Sequence, residues 1–512
     1  MKRFILFITL LLNISVLKSQ DTTFNKLYRP YDRVTSVTNI ISVDSYYYAL
    51  FGELDANNKQ NYGILKFNKS GIIIDSSLFN TSDKYRGTDQ PLGHGFIFTS
   101  DSCFLYCGGI KDTAGWVNGF LAKFDLNMDT IWTKIFYHPD TLESLQKPTT
   151  SVMHLSDVKE TPDGDYILIG NYNSDADGYE DRSFLLKLDT TGNVINFTRN
   201  NFNSLSYDIE VTKDSGYVYL SIFSTDYKIN KVDKNCVVQW RFILSNNLMS
   251  RTAQDIEVLN DSIIIVGRSY IYQQSNTPNK LEICKFNIDK KTIIWRKDYF
   301  LYYNVLNLTL IQSMNIDISN DSNIVISATS DVFPLDSSNV EKRGAILKIN
   351  QNGDSLWQRY YAHNWEDSSN IDLQLNDLIV CDDGGFLFGG FVKDYSDGKV
   401  KSWLVKTDSM GMTQAAFTLG VEDDRILVIK KQSPLFYPNP VYDNLYIQFD
   451  QISTNNYELN IYSITGTLVK HQKIGALGIE YRINIQDLKP GIYLVSLVSG
   501  GQLVYSQKII KK

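Results

Sequence analysis

The sequence predicts an all-β protein: a repeat of seven four-stranded units followed by a small β-sandwich. Three observations predict it. A Lys-containing motif returns seven times along residues 66–411. The last eighty or so residues show short alternating apolar runs separated by Gly, Asn and Asp, the signature of strands and turns. The composition, with Tyr 32 and Phe 26 against Pro 11, suits pleated sheet, on which aromatic side chains pack well.

The N-terminus comes first. Met1-Lys-Arg3 is basic, Phe4–Leu12 is apolar, and Ser19 offers a small residue for cleavage. That pattern predicts a secretory signal peptide over residues 1–19, removed from the mature chain. The junction has no Cys, which argues against lipoprotein processing. No later stretch reaches the ~20 apolar residues a membrane span needs, so no transmembrane segment is expected. The net charge is −7 with no basic block, which argues against a nucleic-acid partner.

The body is the repeat. Lys66-Phe-Asn-Lys-Ser-Gly71 returns as Lys187-Leu-Asp-Thr-Thr-Gly192, Lys348-Ile-Asn-Gln-Asn-Gly353 and Lys406-Thr-Asp-Ser-Met-Gly411, with looser copies at Lys123, Lys231 and Lys285. A second motif ending in an apolar strand precedes most copies, as in Asp163-Gly-Asp-Tyr-Ile-Leu-Ile-Gly170. Each unit reads as strands a to d, for example Val152–Val158, Tyr166–Ile169, Phe184–Leu188 and Val194–Phe197. Four-stranded units at such spacing are the signature of β-propeller blades, which bury their faces only when stacked around an axis. In the c–d turn, Asp or Asn accepts backbone N–H groups and Gly supplies positive φ. Cys236 replaces that Gly, so local distortion is expected there. Phe24–Arg29 looks like a d strand and is expected to close the ring on the last blade; Asp424–Lys430 is a rival. Trp132, Trp240, Trp295 and Trp357 recur after the motif Lys and are expected to cover blade edges. The seven repeated Lys serve the fold better than they serve a ring for anions. Cys103 and Cys107 lie four apart in one strand, ~13 Å, too far to bridge. The motif resembles secreted bacterial propeller repeats, and the reading is a seven-bladed β-propeller over residues 24–420.

In a propeller the a–b and c–d turns share one face, and the b–c and d–a loops share the other. The c–d turns are short and uniform, whereas the loops of the other face differ in length and composition, which is how binding surfaces are built on a fixed scaffold. Candidate ligand-binding residues there are Trp116, and His363, Trp365 and Glu366 in one d–a loop. An exposed Trp beside carboxylates suits stacking on a sugar ring. Asn173, Asp175, Asp177 and Asp181, with Gly178, resemble the front half of a calcium loop. The terminal bidentate Glu is missing, and a polar Asp-Gly turn is the alternative. Calcium is the only cofactor suggested. No catalytic residue is assigned, since G-x-S-x-G, H-E-x-x-H and P-loop motifs are all absent from the sequence. The reading is an exported protein that binds glycan or protein; the alternative is a propeller hydrolase or lyase acting on polysaccharide.

A linker is expected over 421–433 and a terminal domain over 434–512. Tyr437-Pro-Asn-Pro440 with Leu445, Ile461-Tyr462 with Gly466, Leu488-Lys-Pro-Gly-Ile-Tyr493 and the basic end Lys508–Lys512 come in fixed order. Together they resemble the C-terminal sorting domain, type A, of proteins exported by the type IX secretion system of Bacteroidetes. The resemblance implies an Ig-like sandwich and passage through the periplasm to the outer surface or the medium. It also implies the secretion machinery as partner and proteolytic removal of the tail. The sorting-motif residues would be Pro438, Asn439, Pro440, Gly466, Pro490, Gly491 and Tyr493.

Overall fold

The computed structural model describes residues 23–28, 34–54, 60–79, 85–89, 94–113, 116–137, 151–174, 181–223, 226–244, 252–270, 280–299, 311–332, 341–362, 371–395, 398–413, 435–437, 440–453, 457–463, 467–475, 478–499 and 502–512. The signal segment, the linker and the rival closing strand lie outside these residues. The chain divides into two compact units, residues 1–427 and 428–512.

The first unit is a β-propeller. Seven units of antiparallel strands follow one another among the described residues; the first three are joined into one 13-stranded sheet by single parallel pairings, Gln60 with Gly87 and Val117 with Val152, and the other four are separate four-stranded sheets. The third is typical, with strands Ser151–Glu160, Tyr166–Ser174, Arg182–Leu188 and Val194–Asn203 paired in chain order. The second departs from the pattern. Its inner strand is broken into Tyr85–Asp89 and Phe96–Phe98, both paired with Phe104–Asp112. In the seventh, Ile371–Val380, Phe386–Asp394 and Lys399–Lys406 are joined by Phe24–Tyr28, antiparallel to Lys399–Lys406 with Phe24 opposite Lys406. The N-terminal strand thus takes the outer position of the last blade and ties the two ends of the repeat together.

The core lies between the blades. Successive residues of a strand face opposite sides, so each blade feeds two cores. Leu168 packs toward the second blade with Leu105 and Leu121, while Ile167 and Ile169 pack toward the fourth with Ile209 and Tyr219. The core that joins the last blade to the first holds Phe24, Tyr28, Leu387 and Leu404 with Val37, Ala49 and Phe51.

The turn motif is explained by its contacts. In the third blade Asp189 Oδ1 accepts the N–H groups of Thr191 and Asn193, and Gly192 has φ 79°. The same arrangement forms at Asn68, Asp125, Asp233, Asn350 and Asp408. Gly has a second reason to be there. A Cβ on Gly192 would lie 3.1 Å from Trp132 of the preceding blade, and one on Gly411 2.7 Å from Trp357. The recurrent Trp therefore sits over the next blade's turn. Four residues on, Tyr299 and Tyr361 donate to the carbonyls of Gly353 and Gly411, both at 2.7 Å. Phe24 and Tyr28 repeat this pair at Gly71, with Tyr28 Oη 2.5 Å from its carbonyl oxygen. Cys236 does not distort its turn. It adopts φ 63° and donates its N–H to Asp233 O at 2.9 Å, as Gly192 does to Asp189.

The motif lysines point inward. Lys123, Lys231, Lys348 and Lys406 bind Asp101, Asp214, Asp321 and Asp383 in the a–b turn of their own blade at 2.6–2.8 Å. Lys187 reaches Asp165 at 3.4 Å. Lys66 lies over the Tyr46 ring and Lys285 donates to Gln351 O instead. All five described cysteines are free.

The second unit packs a three-stranded sheet (Leu435–Tyr437, Asn444–Ser453, Gly478–Asn484) against a four-stranded one (Tyr457–Ser463, Leu468–Ile474, Gly491–Ser499, Gln502–Lys511). Leu445, Ile447, Leu459, Ile461, Ile483, Val495 and Leu497 fill the space between. Ser499 pairs with Gln502 across the position of the two glycines, which lie outside the described residues.

Candidate functional site

Apart from single parallel pairings of Gln60 with Gly87 and Val117 with Val152, the inner strand of each blade pairs on one side only, so its other edge presents unpaired N–H groups to the axis. Buried acidic side chains satisfy them. A break in register falls beside Asn39, Asp157, Asp208 and Asp377, one per blade, and in the blade of Asp255 it falls just before, between Thr252 and Gln254. Asp157, Asp255 and Asp377 each accept the N–H of the following residue. Their second oxygen accepts an N–H from the next blade. Asp157 Oδ2 takes Ile209 N at 3.1 Å, Asp255 takes Ile316 N, and Asp377 takes Ile40 N at 2.6 Å across the ring closure. Asp208 Oδ2 takes Ile256 N at 2.7 Å. Asn315 serves the same position by donating to Asn376 O at 2.7 Å. These carboxylates stitch blade to blade with charge-assisted hydrogen bonds.

The second blade breaks the rule, and its broken inner strand brings in a histidine. Gly95 stands where the others carry Asp or Asn, and its carbonyl accepts Cys107 N. His94, one residue earlier, reaches across the axis. Its Nε2 lies 3.3 Å from Asp255 Oδ1 and its Nδ1 3.5 Å from Asp377 Oδ1. Two residues along the strands toward the turns lie Lys159, Glu210, Glu257 and Asp317. Lys159 Nζ is 2.5 Å from Glu210 Oε1 and 3.9 Å from Asp157 Oδ2.

Acidic groups outnumber basic ones in this cluster. Seven carboxyl groups (Asp157, Asp208, Glu210, Asp255, Glu257, Asp317, Asp377) face one lysine and one imidazole. Burial alone would lower the His94 pKa, but Asp255 and Asp377 outweigh it and raise it well above the usual value. Burial raises Asp255 to about 7 and raises Asp157 and Glu257 well above the carboxylate range. Asp208 resists burial and falls to about 2, held by contacts with Asp255 and by Lys159 and His94. Neighbouring carboxyls with opposite shifts can serve as acid and base. Here, however, Asp255 already holds two backbone N–H groups and is 2% exposed, which makes it a latch.

The residues expected from the sequence lie elsewhere. Trp116 is half-buried at the end of a b–c hairpin loop. Its carbonyl accepts Asp112 N, and its N–H donates to Asp112 Oδ1, both at 2.9 Å. Asn173 Nδ2 donates to Asp181 Oδ1 at 2.7 Å, which brings together the two ends of the calcium-like segment. Asp175, Asp177, His363, Trp365 and Glu366 lie outside the described residues, as do Pro438, Asn439 and Gly466. In the terminal domain Pro440, Pro490 and Gly491 are exposed, and Tyr493 Oη donates to Lys489 O at 2.8 Å. The axial acids and His94 were not anticipated. A signal for the acids exists: Asp157-Val158, Asp208-Ile209, Asp255-Ile256, Asn315-Ile316 and Asp377-Leu378 each stand six residues before a turn aspartate.

Residues 435–512 match the family model of the secretion system C-terminal sorting domain. The chain thus carries the sorting signal of a type IX secretion substrate. No helix among the described residues is long and apolar enough to cross a membrane. No curated protein matches the chain. Three solved structures are similar in outline. A protein of unknown function from Bacteroides caccae is 9% identical, with 66% of this chain and 97% of that one covered and a TM-score of 0.35. A point mutant of NanB sialidase from Streptococcus pneumoniae is 10% identical, with 72% and 84% covered and a TM-score of 0.41. The β-propeller domain of the Trilobed protease from Pyrococcus furiosus is 8% identical, with 78% and 99% covered and a TM-score of 0.39. Likenesses at this level carry nothing about activity.

Proposed function

We propose that the protein is a secreted or surface-attached binding module, exported by the type IX machinery, whose propeller takes glycan or protein ligands on its b–c and d–a loop face. The supporting observation is the contrast between the two faces. On one, the c–d turns repeat the same Asp/Asn-centred hydrogen bonds from blade to blade. On the other, the b–c connection runs from Phe223 to Asp226 in one blade and from Tyr270 to Lys280 in the next. A fixed scaffold with varied loops is the arrangement of a recognition surface. Trp116 is the proposed stacking platform in one loop, and His363, Trp365 and Glu366 are the proposed ligand contacts in a d–a loop. The segment Asn173, Asp175, Asp177 and Asp181 is the proposed calcium position. Removal of the signal peptide, and later of the sorting domain, completes export in this reading.

A second reading is a hydrolase or lyase acting on polysaccharide, since carboxyl pairs that cleave glycosides can assemble from distant loops. One experiment separates the two. The purified mature protein is passed over a polysaccharide panel, and retention and product release are scored separately. Binding predicts retention without release, and Trp116→Ala weakens retention by about 1–3 kcal/mol, roughly five- to a hundred-fold. Release of product supports the second reading. Retention unchanged in Trp116→Ala removes that residue from the site.

A further inference from the structure

We propose that the propeller axis binds one divalent transition-metal ion, of the zinc or manganese class, through His94, Asp208 and Asp255. One ligand atom from each lies within 4.8 Å of the others. The 3.3 Å between His94 Nε2 and Asp255 Oδ1 is close to the about 3.4 Å expected of two donors held by one ion at 2.0–2.1 Å in tetrahedral geometry.

Three further observations point the same way. Asp208 is 1% exposed, and its Oδ1 is buried with no hydrogen-bond partner, while Oδ2 is taken by Ile256 N. A buried carboxylate oxygen without a donor is costly. Its neighbours are the carboxyls of Asp157 and Asp255, which can meet it only by holding a proton, and a bound cation would take that proton's place. Second, His94 is oriented as metal-bound histidines usually are. Nε2 faces the cluster, while Nδ1 faces Asp377 Oδ1 at 3.5 Å, so a carboxylate can hold the ring in the tautomer that ligates. Third, seven carboxyl groups stand at the axis against Lys159 and His94 alone, so oxygen donors are in excess there. Mixed imidazole and carboxylate donors favour a transition ion over calcium, which takes oxygen donors. His94 is 26% exposed and gives the ion a way in. Binding to Nε2 displaces its proton to solvent.

An ion here would hold three blades. His94 comes from the second, Asp208 from the fourth and Asp255 from the fifth, so sites far apart in sequence would be tied across the axis.

The test strips the purified mature protein with chelator, reloads it with Zn2+ or Mn2+, desalts it and measures metal per chain. The proposal expects one ion per chain, a higher melting temperature with metal, and X-ray absorption that shows an imidazole nitrogen among oxygen ligands. His94→Ala leaves every backbone latch in place and should abolish retention. Asp377→Asn should weaken the ion about 10–100-fold without removing a ligand. No retained metal in a folded chain overturns the proposal. So does retention undiminished in His94→Ala, or a coordination sphere without nitrogen. Should His94→Ala fail to fold, the absorption spectrum of the unmutated protein decides by itself.

Discussion

Single residues bear much of the turn chemistry, and two of them can be tested alone. Lys291 is exposed and adopts φ 54° at the turn position that Gly fills in four other blades. A left-handed conformation strains any residue with a Cβ, while Gly adds entropy to the unfolded chain. Lys291→Gly should therefore stabilise the protein by about 0.5–1 kcal/mol in urea denaturation; a loss of stability would show that the turn depends on the side chain. The buried Lys348 and its partner Asp321 give a pH signature. Burial would raise the Asp321 pKa, but hydrogen bonds from Lys348, Ser319 and Asn323 together outweigh it and hold the carboxyl low. A depressed folded pKa stabilises above the unfolded value, about 3.9, and that stabilisation is lost as pH falls through the folded value. The stability curves of the native protein and of Lys348→Met should converge below about pH 4. A constant gap down to about pH 2 would contradict the pairing. The turn residues were legible in sequence because Asp, Asn and Gly act locally there. The axial aspartates were not, since their partners come from the next blade, and His94 belongs to the one inner strand that breaks the pattern.

At the scale of elements, the outer strands do two jobs. Each completes its own blade, and three of them cover the turn of the next one with an aromatic pair: Trp295 and Tyr299, Trp357 and Tyr361, and Phe24 and Tyr28. Trp357→Ala should cost about 2–4 kcal/mol, because it opens a space over Gly411 that nothing else fills. The N-terminal strand does the same work from the far end of the sequence. Asn25 accepts Trp403 Nε1 at 2.7 Å and donates to Ala362 O at 3.1 Å, and Trp403 is fully buried. Asn25→Ala should thus destabilise by about 1–3 kcal/mol, the cost of a buried donor left unsatisfied. A change near zero would mean the N-terminal strand is not what closes the ring. This element could be read from its likeness to the strands ending at Tyr137 and Tyr361. The strand boundaries could not, because most strands extend two or three residues beyond their apolar runs, as Ser151–Glu160 does beyond Val152–Val158.

At the scale of the whole molecule, a propeller is joined in sequence to a sorting domain, and each has its own core. The sorting domain was legible because its motif fixes both order and place. The ligand was not, because recognition lies in loops that follow no repeat. Export is therefore the part of the account most open to a direct test. In a host with type IX machinery, the full chain and a chain truncated after Lys431 are produced side by side, and the propeller is measured in the envelope, on the surface and in the medium. The account predicts the propeller of the full chain on the surface or in the medium, and that of the truncated chain inside the envelope. Equal amounts of both outside the cell would contradict it.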